Sequence, residues 1–257
     1  EPGRQFSEVE IQHEMEDIIK NAPGRLIIGT FASLLGRLNE IIQLAEKHDK
    51  RVAVDGRSMR TNIEIASRLG YMKINPAIMI DPTEVKDFPK NKIIILVTGA
   101  QGEENAVLMR IVSKRHKVLK IESGDTVVFS SSVIPGNERQ VQYLTDKLYR
   151  DGADVINYRM LDIHAGGHAK QEDLKLLIQT VRPKYLMPIE GNHSFLKIHA
   201  KVALDAGMKR ENIVIADNGQ IVEASRDRVA KTNEFVPANY VMVDGLGVGD
   251  VEEVVLR

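Results

Sequence analysis

The sequence predicts an α/β fold, a parallel sheet with helices on both faces, and three observations carry that prediction. Short apolar segments of strand length recur along the chain. Amphipathic stretches of helical length separate them, and glycines cluster where an apolar segment gives way to an amphipathic one. Strands that alternate with helices in this way pair in parallel through crossovers, and the helices then cover both faces of the sheet.

Each element follows from its residues. Ser7-Glu8-Val9-Glu10 is a capping box, in which the serine hydroxyl and the Glu10 carboxylate satisfy the first free amides of a helix running to Lys20. Pro23-Gly24 stops it, and 25–31 reads as a buried strand. Ser33 caps a helix whose Leu34, Leu38, Ile41, Ile42 and Ala45 recur at helical spacing. The unit then repeats. Strand 51–54 precedes helix 58–69, strand 93–97 a helix from Glu103, and strand 126–130 helix 138–150. Strand 153–157 precedes helix 171–180, and strand 185–189 precedes helix 194–206. Residues 87–91, with Pro89, read as a linker. Asn218-Gly219 reads as a hairpin turn, beyond which short strands and loops lead to a glycine-rich end.

Composition narrows the function classes. The 257 residues, 43% hydrophobic, can bury a sizeable core as one large or two small domains. No apolar run is long enough to span a bilayer and no basic-then-apolar leader is present, so a cytoplasmic location is expected. The sequence has no cysteine, which excludes disulfides, thiolate zinc sites and a cysteine nucleophile. With a net charge of −1, any nucleic acid must be held by a local basic groove, because there is no global positive field.

In open parallel sheets ligands bind beyond the carboxyl ends of the strands, so chemistry is expected in the loops that follow them. Four loops stand out. In the first, at 55–60, a glycine allows close approach, a helix start offers free amides, and Arg57 can grip a phosphate through two parallel hydrogen bonds. The second, at 98–104, is a two-glycine turn, and the third, at 130–138, is rich in hydroxyls. Ser131 and Ser132 also fit an ordinary turn and helix cap. The basic run 114–117 reads as a solvated loop. His13, His48, His116 and His199 read as surface or packing residues. The fourth loop, at 162–169, holds His164 and His168. Their spacing is that of a helical zinc pair, but Gly166-Gly167 between them argues for a loop. No third ligand lies nearby in sequence. Two imidazoles beside backbone amides suit an anionic group, and a histidine titrating near neutrality can protonate a leaving oxygen. Phosphate contact is favoured over metal ligation, and both stay open.

Six segments in order, GTFASLLGRLNEII, VDGRSM, TGAQGEE, SSSVIPGNE, IHAGGHAKQEDLKLLIQTVRPKYLMPIEGNHSFL and VDGLGVGDVEEVVLR, resemble ribonuclease J over nearly the whole chain. That family consists of metallo-β-lactamase-fold nucleases with an inserted β-CASP domain. The resemblance implies metal-dependent hydrolysis of RNA phosphodiesters, 5′-to-3′ exonucleolytic and endonucleolytic, in RNA processing and decay. It implies single-stranded, 5′-monophosphorylated RNA as substrate, a homo-oligomer, and no membrane. His168 falls on the catalytic histidine that contacts the scissile phosphate. His164 falls on the second histidine of that loop, and Gly166 stands where the family has a serine. Arg57, Ser58, Gly99, Gln101, Gly102, Glu103 and Ser131 fall in the groove that holds nucleotides. The implied cofactor is Zn²⁺, with Mn²⁺ as the alternative.

Departures from the family pattern bear on that metal. The metal-binding histidine of the Pro-x-His-Gly element is Glu190 here, in Pro188-Ile189-Glu190-Gly191. A carboxylate can bind either ion, with His193 as an alternative donor. Gly36 replaces a histidine in the 31–37 element. The family's HxHxDH motif does not occur, so the sequence reads as a fragment, expected to be inactive alone and to expose apolar surface. The implied layout is an entry helix at 1–20, the β-CASP domain at 21–155, the returning C-terminal part of the metallo-β-lactamase fold at 156–235, and a linker at 236–257. Two other readings are a non-catalytic RNA-binding paralogue or subunit, and an unrelated doubly wound protein that binds a sugar phosphate or nucleotide.

Overall fold

Where apolar residues fill both odd and even positions of a strand, two faces must be covered, and Ile93–Val97 (β4) is buried at every residue. A computed structural model shows how. It describes residues 2–157 and 168–241, and the backbone of Val243–Asp244 and Gly247–Val248. Two compact units emerge, one of residues 6–167 and the other of residues 1–5 with 168–257.

In the 6–167 unit, β4 lies within a six-stranded sheet with Leu26–Gly29 (β1), Arg51–Asp55 (β2), Met79–Ile80 (β3), Thr126–Phe129 (β5) and Asp154–Asn157 (β6). The order is β3-β2-β4-β1-β5-β6, and every pair is parallel. Leu26, Ile28, Val52, Ile94 and Leu96 pack against Glu8–Asn21 (α1), Leu35–Lys47 (α2) and Arg57–Arg68 (α3). Ile27, Ala53, Ile93, Ile95 and Val127, offset by one, pack against Val107–Val112 (α4) and Glu138–Arg150 (α5). Each fully buried Leu, Ile or Val contributes about 1.5–3 kcal/mol. The chain leaves β1 toward β2 and leaves β5 toward β6. These adjacent strands therefore send their connections in opposite directions, which opens a crevice at their carboxyl ends.

The amino ends of β1 and β5 are joined by a buried ion pair. Arg25 donates from Nε to Asp125 Oδ1 (2.9 Å) and from Nη2 to Asp125 Oδ2 (2.6 Å). The same Nη2 reaches the Lys120 carbonyl (2.8 Å), and Nη1 lies 2.7 Å from Glu122 Oε1. The chain passes close by here, since a Cβ on Gly24 would collide with the Gly124 carbonyl oxygen.

The Ser7–Glu10 capping box forms as the sequence predicts. Other elements differ, each for a physical reason. Ser33 does not cap α2, whose first flanking residue is Leu34. The helix expected from Glu103 starts at Val107, because 98–106 folds back on itself: the Leu108 amide donates to the Thr98 carbonyl, and Gly99 and Gly102 take positive φ. The expected linker is instead part of short 3-10 turns, Pro82–Asp87 and Lys90–Lys92, the first opened by an Asp81–Glu84 capping box.

The second unit holds Gln171–Val181 (α6), His193–Asp205 (α7), and an antiparallel hairpin of Gln220–Ala224 (β7) and Val229–Phe235 (β8). Val243–Asp244 (β9) and Gly247–Val248 (β10) also pair. The hairpin turns at Ser225 and Arg228, whose backbones bond to each other, and not at Asn218-Gly219. The apolar run 185–189 forms only an isolated bridge between Leu186 and Ile213. Leu176, Leu177, Val181, Phe195 and Ile198 stand exposed. Among the described residues no helix is long and apolar enough to cross a membrane.

Candidate nucleic-acid interface

The carboxyl ends of β2, β4 and β5 bring together the first three of the four loops singled out in the sequence; of the fourth, at 162–169, only His168 and Ala169 are among the described residues. Gly56, at φ 122°, ends the turn after β2; a Cβ there would meet the Thr98 side chain at 3.2 Å, so the first loop lies against the second. Arg57 and Ser58 follow at the start of α3, and both are exposed. No side chain caps this helix start, and Arg57 has no ionic partner among the described residues. An open helix start with an unpaired guanidinium favours an anion. At the end of β1, Thr30 is 2% exposed and its hydroxyl has no partner among the described residues. The sequence alone did not single out this residue.

Gln101 joins the second loop to the third. Its Nε2 donates to Ser131 Oγ (3.1 Å) and to the Ser132 carbonyl (2.8 Å), and its Oε1 accepts from the Ile134 amide (2.8 Å). Gln101 and Ser131 are each 2% exposed. Glu103 turns its carboxylate onto the Gln101 amide (3.3 Å), although the residue itself is exposed. Gly99 and Gly102 are buried backbone, and a Cβ on Gly102 would lie 2.8 Å from the backbone of Gln140. These residues give the loops their shape. Gln101→Ala would remove the hydrogen bonds that tie the second loop to the third, each contributing about 0.5–1.5 kcal/mol. Urea unfolding measures the loss, and an unchanged midpoint would show that the loops hold without the carboxamide.

His116 departs most from its sequence reading. Its side chain is 8% exposed, and Nε2 lies 2.9 Å from Asp55 Oδ2 at the end of β2. The basic run around it is therefore not wholly solvated. His48 likewise has a partner, Glu16 Oε1, at 2.8 Å.

In the second unit, His168, Glu190 and His199 line one cavity of about 420 Å³, together with apolar residues that include Leu174 and Phe195. His168 and Glu190 are exposed at its rim. Glu190 takes φ 59°, a left-handed backbone unusual for a residue with a side chain. Burial pushes the His199 imidazolium down from its ordinary value. His193, the alternative donor, lies with Nδ1 3.2 Å from Asp217 Oδ1. His164 and Gly166 lie outside the described residues. Among the described residues, no group of three or more His, Cys, Asp or Glu side chains could hold a metal ion. His168 and Glu190 alone do not make a metal site.

Comparison with known proteins gives these positions a context. Residues 23–148 match the family model for the ribonuclease J β-CASP domain. The chain is 39% identical over 256 residues to ribonuclease J2 of Bacillus subtilis, covering 100% of this chain and 46% of that protein. It is 38% identical to ribonuclease J 1 of Streptococcus pyogenes, covering 98% of this chain and 45% of that protein. It is 39% identical to ribonuclease J of Thermus thermophilus, covering 99% and 44%. The chain thus spans somewhat less than half the length of the curated relatives it matches.

Proposed function

Residues 23–148 form a β-CASP domain of the ribonuclease J family, and from that premise we propose that the protein takes part in hydrolysing single-stranded RNA, from 5′-monophosphorylated ends and internally. The observation that carries this reading is the unpaired Arg57 at the uncapped start of α3, beyond the carboxyl end of β2, on the side of the sheet where α/β folds bind ligands. Residues 21–155 hold the RNA. Residues 156–235 continue a metallo-β-lactamase fold, and 236–257 link onward. His168 contacts the scissile phosphate and donates a proton to the leaving oxygen, and His164 and Gly166 contribute to binding the substrate. Metal dependence belongs to the proposal: Zn²⁺ or Mn²⁺ is held mostly by groups outside this sequence, with Glu190, or His193 in its place, as a donor from this chain. The protein works in the cytoplasm as a homo-oligomer.

A reading as a non-catalytic RNA-binding subunit is favoured by one observation, the carboxylate of Glu190 where the family carries a histidine. Both readings place RNA on Arg57, and salt titration tests that placement. Arg57→Ala should weaken RNA binding by a similar factor for every sequence tried. It should also flatten the dependence of log affinity on log salt by about 0.7, one phosphate contact to a single strand. An unaltered slope would take Arg57 out of the interface.

A further inference from the structure

We propose that His116 is a positioning residue that holds the Asp55 carboxylate away from Arg57 and so keeps that guanidinium free for phosphate; this rests on the reading of Arg57 as an RNA contact. Both ring nitrogens of His116 are engaged. Nδ1 accepts from the amides of Leu119 (2.9 Å) and Val118 (3.3 Å). Amide N–H groups point only at an unprotonated nitrogen, so the ring proton sits on Nε2 and is donated to Asp55 Oδ2 at 2.9 Å. An imidazole with both nitrogens occupied cannot take a proton from a substrate. This is an Asp–His pair with the geometry of a latch, and the ring does not act as a base.

The latch is anchored from both sides. The His116 amide donates to the Arg110 carbonyl at the end of α4, and Lys114, at φ 59°, turns the chain out of that helix. Leu119, whose amide bonds the ring, is 4% exposed in the core. Across from it, Arg60 lies 3.7 Å from Asp55 Oδ1 and donates from Nε to the Val54 carbonyl (2.8 Å). Asp55 is two residues from Arg57, within reach of a flexible guanidinium. Yet its carboxylate is 14% exposed and faces His116 and Arg60. If His116 let go, the Asp55 carboxylate, two residues from Arg57, would be held only by Arg60 at 3.7 Å, and an internal ion pair with Arg57 would compete with the RNA phosphate.

The test measures binding of a fluorescent 5′-monophosphorylated oligoadenylate to the intact gene product, in EDTA so that no metal-dependent cleavage occurs. In His116→Asn the side-chain oxygen still accepts from the Val118 and Leu119 amides, but the side chain no longer reaches Asp55. It should bind about five- to tenfold more weakly, and adding Arg57→Ala should bring no further loss, because both changes act through one contact. Asp55→Asn in the His116→Asn background should restore affinity, since a neutral amide cannot hold Arg57. A purely structural histidine would not be rescued that way. Binding equal to the parent in His116→Asn, additive losses in the double variant, or absence of rescue each overturn the proposal. If His116→Asn does not fold, His116→Gln decides. Its amide still donates to Asp55, so affinity should stay within about twofold, and a larger loss overturns the latch. If Arg57→Ala alone binds as the parent does, the RNA reading of this loop fails, and that outcome is distinct from failure of the latch.

Discussion

Alanine at His168 should lower turnover of 5′-monophosphorylated RNA by the intact gene product about 10²–10⁴-fold, the usual worth of a positioned proton donor, if the proposed role holds. Two features separate this from a folding effect. His168 is exposed and makes no hydrogen bond or ion pair among the described residues, so its loss leaves no buried group unsatisfied. It also lines the cavity that Glu190 and His199 share, which leaves the imidazole open to a bound group. Steady-state kinetics beside a circular dichroism melt make the distinction: kcat falls while the melting temperature holds. Turnover within about threefold of the parent would remove the role assigned to His168.

The largest stability effect is expected at the amino end of the sheet. Asp125 is 1% exposed, and its two oxygens hold the Arg25 guanidinium, itself 7% exposed. Asp125→Ala leaves that charge buried, with only the half-exposed Glu122 and the Lys120 carbonyl as partners. Breaking such a pair from one side costs about 3–5 kcal/mol. In a chain of this size the melting temperature should fall by roughly 10 °C. Lys90→Ala serves as the control, because its pair with Glu122 has side chains 59% and 42% exposed and contributes no more than about 1 kcal/mol. Equal melting shifts in the two variants would contradict the weight given to the buried pair.

Much of the fold could be read from the sequence where structure is decided locally. The apolar strands β1, β2, β4 and β5, the amphipathic α5 and the Ser7–Glu10 box emerge close to where the residues put them. What escaped depends on groups distant in the chain. β3 is two residues long and exists only because β2 pairs with it. The 185–189 run has strand-like residues, but only Leu186 finds a neighbouring backbone. The late start of α4 follows from the Leu108–Thr98 hydrogen bond, which no helical periodicity announces.

The candidate site divides along the same line. Arg57 and Ser58 stand exposed at a helix start, as the glycine turn before them suggests. Gln101 and Ser131 lie in the expected loops, but their polar groups bond to each other across a separation of 30 residues. The His116–Asp55 pair spans 61 residues. A histidine within a basic run looks solvated until the strand end that receives it is in place.

RNA hydrolysis is tested by product analysis with a body-labelled, 5′-monophosphorylated RNA, incubated with the intact gene product and Mn²⁺. The expected result is stepwise release of mononucleotides from the 5′ end, stopped by EDTA and by His168→Ala, with no release by the isolated chain. RNA that stays uncut while binding persists through Arg57 contradicts the hydrolytic role and leaves an RNA-binding subunit in its place.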